Sequence, residues 1–79
     1  MRGTIVGLRK MKFTDQQNRP IEGTSVYLTY NDKNIEGQGT DKVFLNTDKI
    51  KSLERDPEVG DTLFISYNRY GKVDEVELL

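Results

Sequence analysis

Apolar and polar residues alternate along this chain in five short runs, and the period changes only once. Period two is what a strand with one buried face requires, because successive side chains point to opposite sides of the sheet. The first run, RGTIVGLRKMKFT (2–14), holds Gly7 where an interior glycine marks a bulge or sharp bend. DQQNRPIEG (15–23) is polar, with Pro20 and Gly23, and reads as a loop. TSVYLTYN (24–31) forms a second strand with Val26 and Leu28 on one face and Tyr27 and Thr29 on the other. After the turn-rich NDKNIEGQGT (31–40), KVFLNT (42–47) makes a third strand, with Val43 and Leu45 inward and Phe44 outward. The period then lengthens. DKIKSLERD (48–56) spaces Ile50 and Leu53 three apart, with Asp48 as N-cap and Pro57 as stop, which predicts one or two helical turns. DTLFISYN (61–68) places Leu63, Ile65 and Tyr67 inward and Phe64 outward. A tight turn, RYG (69–71), leads to KVDEVELL (72–79), the fifth strand.

The order β-β-β-α-β-β predicts a mainly β fold, one domain spanning residues 1–79. It matches a five-stranded Greek-key barrel of OB-fold type, with one short helix between strands three and four. An SH3-like barrel is the alternative, but its helical turn falls before the last strand, and here two strands follow the helix. Gly7 is placed where the long first strand must bend to serve both halves of a barrel. The helix would plug one end through Ile50 and Leu53. A chain of 79 residues buries only a small core.

Composition narrows the chemistry. There is no cysteine and no histidine, so disulfides, thiolate or imidazole metal sites and the usual nucleophile–base pairs are missing. The expectation is a binding module rather than an enzyme, with no cofactor and no metal. Asp74, Glu75 and Glu77 read as a solvated strand edge. NDKNIEGQGT lacks the ligand spacing and closing glutamate of a calcium loop. No run of about 18 apolar residues and no signal-peptide core is present, so a soluble, cytoplasmic protein without membrane contact is expected.

The net charge of −1 divides unevenly: residues 1–33 carry +3 and residues 34–79 carry −4. Single-stranded nucleic acid binds barrels of this type on strands two and three, with aromatics stacking on bases and cations following phosphates. Strand alternation turns Tyr27 and Phe44 outward, with Lys42 beside Phe44; covering the edge of the core is the other reading of Phe44. Arg9, Lys10 and Lys12 form the densest basic group. Arg9 shares a side with Met11 and Phe13, whereas Lys10 and Lys12 take the other. They either track phosphates or protect a solvated edge. Arg19 sits in a loop framing strand two. Arg69 and Tyr70 cap the last hairpin, where they clamp a nucleic-acid strand or the tyrosine folds back over the barrel. A protein partner on the same aromatic face, or RNA in place of DNA, are the rival occupants.

Together, EGTSVYLTYND, KVFLNTDKI and VGDTLFISYNRYGKVDEVELL resemble the small OB-fold single-stranded DNA-binding, helix-destabilising proteins of filamentous phages and conjugative elements. The resemblance covers most of residues 2–79 in pattern. It implies sequence-independent binding of single-stranded DNA, often by a homodimer, with Tyr27, Phe44 and Tyr70 stacking and Arg9, Lys10, Lys42 and Arg69 at phosphates.

Overall fold

A computed structural model describes all 79 residues as one five-stranded antiparallel sheet in the order β3-β2-β1-β4-β5, with one short helix between β3 and β4. The elements are β1 (Arg2–Thr14), β2 (Pro20–Tyr30), β3 (Gly39–Asn46), α1 (Thr47–Lys51), β4 (Thr62–Tyr67) and β5 (Val73–Leu78). The strand order is that of an OB-like fold, but the sheet does not close. β3 pairs only with β2 and β5 only with β4, so the two edges face each other across an open seam.

Alternation fills one side of the sheet. Ile5, Val26, Leu28, Val43, Leu45, Leu63 and Ile65 form the core, joined by Leu53 from the turn after the helix. Each fully buried aliphatic side chain contributes roughly 1.5–3 kcal/mol relative to exposure. The amino terminus extends the β1–β4 seam: Met1 donates to the Ile65 carbonyl and accepts from the Ile65 amide, each at 2.7 Å.

β1 is long enough to pair with two neighbours in succession. Arg2–Thr4 lie against β4, and Thr4–Thr14 lie against β2. Between Ile5 and Gly7 the register slips by one residue, leaving Val6 as the extra residue of a bulge. That slip reverses the alternation. Gly3 and Ile5 face the core before it, whereas Leu8 faces the core after it, and Arg9, Met11 and Phe13 are carried to the opposite face.

Boundaries differ from expectation at three places. β2 begins at Pro20 rather than residue 24, and β3 at Gly39 rather than residue 42, because the hairpin ladder continues through residues that look like turn formers. Pro20 lies at the strand's first residue, where its missing amide costs least. The helix is five residues long, and its N-cap is Asn46 rather than Asp48: the Asn46 carboxamide accepts from the Lys49 amide at 2.9 Å. Its last turn ends at Ser52, so Leu53 is buried beyond the helix and Ile50 only half-buried.

Candidate functional site

The β1–β2–β3 sheet turns a continuous face away from the core, and register assigns its side chains row by row. Gly7, Tyr27 and Lys42 share one row; Arg9, Ser25 and Phe44 the next; Met11, Gly23 and Asn46 the third; Phe13 and Ile21 the last. Neighbouring strands stand about 4.8 Å apart and alternate residues about 7 Å apart along a strand. The face therefore presents three aromatic rings and two cations over a short stretch of sheet.

Small residues shape it. Phe44 leans across β2 onto Gly23, where an added Cβ would stand 2.6 Å from the ring's Cζ and 2.8 Å from Asn46 Cα, and would also meet the Leu45 carbonyl oxygen. Phe44 meets Phe13 at 5.9 Å between ring centroids, tilted by 59°, a favourable edge-to-face arrangement. Tyr27 lies against Gly7 in the same manner, with its Cδ2 3.4 Å from where a Cβ would stand. Beneath the rings, the buried Ser25 hydroxyl donates to Met11 Sδ at 3.0 Å. The outcome is a shelf of rings that is supported below and open above: Phe13 is 43% exposed and Phe44 38%.

Arg9 and Lys42 are exposed on this shelf and form no ion pair. The Lys42 amide is satisfied by the Asp41 carboxylate at 2.8 Å, on the strand edge toward the seam. In that seam lies a groove of about 480 Å³ between β3 and the β4–β5 hairpin, lined among others by Phe44, Lys49, Tyr67 and Lys72.

Other expected site residues lie elsewhere. Lys10 and Lys12 fall on the opposite face, near α1, with Glu22, Lys51 and Asp56 around the same hollow. Arg19 is folded into its own turn: Asp15 accepts from the Gln17 and Arg19 amides and pairs with Arg19 Nε at 3.1 Å. These bonds, chiefly the Arg19 amide, hold the Asp15 carboxyl below the usual carboxylate range. Arg69 and Tyr70 stand together at the far hairpin, organised by Asn68, whose carboxamide oxygen accepts from the Tyr70 and Lys72 amides. The Arg69 guanidinium sits 5.0 Å from the Tyr70 ring centroid and donates to its hydroxyl at 2.9 Å. Tyr70 is 72% exposed, so it does not fold back over the sheet.

One inner-face expectation changes as well. Tyr67, expected inside with Leu63 and Ile65, ends β4 opposite Val73 and is 42% exposed, lining the groove at the open seam; the ladder irregularity there skips Asp74 of β5. Burial and the nearby Asp41 carboxylate raise its phenol pKa above the ordinary value. Phe64 faces outward as expected, between Leu63 and Ile65 in sequence, and is half-buried in the row it shares with Arg2 and Glu77. The residue that sequence reasoning left out of the site is Phe13. Its spacing from Arg9 and Met11 placed the three on one side, but only the bulge makes that side the one carrying Phe44.

No group of three acidic side chains is placed to hold a metal ion. No helix is long and apolar enough to cross a membrane. The chain matches no family model, no curated protein and no solved structure.

Proposed function

We propose that this protein binds single-stranded nucleic acid, DNA before RNA, without strong sequence preference, on the outer face of β1–β2–β3. The observation that carries the reading is the exposed Phe13–Phe44 pair over Gly23, with Arg9 and Lys42 in adjoining rows. An exposed pair of phenylalanines stabilises a fold poorly, but it is what unstacked bases require: every base has a π-face, and each stack is worth roughly 1–3 kcal/mol. Arg9 and Lys42 are free to meet phosphates. Tyr27 extends the shelf toward β1, and Arg69 with Tyr70 offers a second cation–aromatic contact at the hairpin tip.

Lys10 and Lys12 lie on the far side of the arm and are left out of this interface. Arg19, tied to Asp15, can meet a strand only at the arm's end. With so few free cations on the shelf, binding should rest on stacking more than on phosphate neutralisation, and its salt dependence should be shallow.

Titration of the protein into a fluorescently labelled oligo-dT tests this at about 50 and about 200 mM salt. Binding at low salt, somewhat weaker at high salt and clearly weakened in Phe44→Ala, is the expected result. No binding at low salt overturns the proposal. Oligo-U in parallel separates DNA from RNA preference.

A further inference from the structure

Besides the β3 edge, which carries Asp41 and Lys42 side by side, two strand edges in this fold lack a ladder partner. β4 pairs with β1 only through Thr4, and the adjoining loop bonds β1 no further than Ile5, through Asp61 and Gly60. From Leu8 to Thr14, β1 is hydrogen-bonded on one side alone, to β2. At the other end of the sheet, β5 pairs only with β4. Its free edge receives a single hydrogen bond, from the Lys49 ammonium to the Asp74 carbonyl.

The two edges carry opposite charge. β1 bears Arg9, Lys10 and Lys12 along its free stretch, with no acidic residue between Leu8 and Thr14. β5 bears Asp74, Glu75 and Glu77 and no basic residue. Unpaired backbone groups on an edge are a template for another strand, and charged residues decide which strand is admitted. Pairing β1 with β1, or β5 with β5, sets like charges face to face. Only β1 with β5 is complementary.

We propose that copies of this chain associate head to tail, the acidic β5 edge of one copy adding to the basic β1 edge of the next. An antiparallel register that sets Lys10 opposite Glu77 also sets Lys12 opposite Glu75 and Met11 opposite Val76. Lysines 10 and 12 share one side of β1, and glutamates 75 and 77 share one side of β5, so both ion pairs form on the same face. The Lys49 side chain swings aside to release the Asp74 carbonyl. Because each copy presents two different edges, the contact is heterologous and extends into a ring or a short filament rather than stopping at a symmetric dimer. This gives Lys10 and Lys12, which face away from the aromatic shelf, a task of their own. It does not depend on nucleic acid.

The test is sedimentation velocity of the full chain without nucleic acid, over about a hundredfold range of concentration and at low and high salt. The expected result is an average mass that rises with concentration past that of a dimer and falls as salt is added. The charge reversals Lys10→Glu/Lys12→Glu and Glu75→Lys/Glu77→Lys should each remain monomeric alone, with unchanged circular dichroism. Mixed together, the two should associate again. The chain has no cysteine, so Lys12→Cys/Glu75→Cys gives a clean second measurement: oxidation should produce a ladder of cross-linked copies on a non-reducing gel. A monomer at every concentration in low salt overturns the proposal. So do a mass that stops at two with cross-links in Lys12→Cys alone, or variants that fail to associate when mixed.

Discussion

The two faces of the β1–β2–β3 sheet are built by alternate residues of the same strands, yet they follow different rules. Inward, Val26, Leu28, Val43 and Leu45 are aliphatic and almost wholly buried. Outward, Phe13 and Phe44 are substantially exposed, and the β1–β2 positions against which the rings lie are small: Gly7, Gly23 and Ser25. Aliphatic packing lowers the free energy of folding wherever it is enclosed. Rings laid over glycines enclose little, and their value appears when something else covers them. The inner face is accordingly the source of stability, and the outer face the surface on which ligand binding is proposed.

The largest expected effect comes from breaking the inner face. Leu28→Ala removes a side chain that is 1% exposed, and should lower stability by about 2–5 kcal/mol in urea unfolding. That is a large share of what so small a domain has to spare. Gly23→Ala comes next, since it strikes both faces at once. The new Cβ meets the Leu45 carbonyl oxygen and the Asn46 backbone, not only the Phe44 ring. A loss of about 1–3 kcal/mol is expected, together with weaker oligonucleotide binding as Phe44 is pushed off its seat. Phe44→Ala separates the faces most cleanly. Stability should fall by only about 1 kcal/mol, mostly the lost contact with Phe13. Affinity for oligo-dT should fall by about 1–3 kcal/mol, or about 5- to 150-fold. Equal losses in melting and in binding would erase the distinction between the two faces.

How far the sequence foretells this can be followed at single residues. Five strands and a helix between the third and fourth are legible because alternation and one change of period are local properties. Outward Phe44 is legible too, since Val43 and Leu45 bracket it. Phe13 is not. Counting by twos from the buried Ile5 puts Phe13 on the core side, and only the extra residue at Val6 moves it out. A glycine announces that a bulge is near without saying which residue is extra. Tyr67's exposure is not legible either, because it ends β4 beside the open groove, where nothing closes over it. The open seam was invisible for a different reason: whether β3 reaches β5 depends on the twist accumulated over the whole sheet, which no single segment encodes. Turn formers misled at Pro20 and Gly23, where cross-strand pairing overrides local preference and glycine is needed to seat a ring.

The smallest effect belongs to neither face and serves as a reference for both. In the loop joining α1 to β4, Arg55 holds Asp61 through two nitrogens, each at 2.8 Å, and the Glu58 amide donates to the same carboxylate. The Arg55 hydrogen bonds first, then the Glu58 amide, pull the Asp61 pKa down to about 2 from an ordinary value of 3.8. A carboxyl whose pKa is lower folded than unfolded binds its proton more readily in the unfolded chain. Its contribution is therefore complete above pH about 4 and is lost as pH falls through about 2. Asp61→Asn removes that contribution at every pH. Its urea midpoint should lie slightly below wild type at neutral pH, and the two should converge as acid is added. Its oligo-dT affinity at neutral pH should match wild type, because Asp61 hydrogen-bonds only to Arg55, Glu58 and Ile5, none of them on the aromatic shelf. A variant that loses binding while keeping its midpoint would place the loop in the interface and move the boundary between scaffold and site.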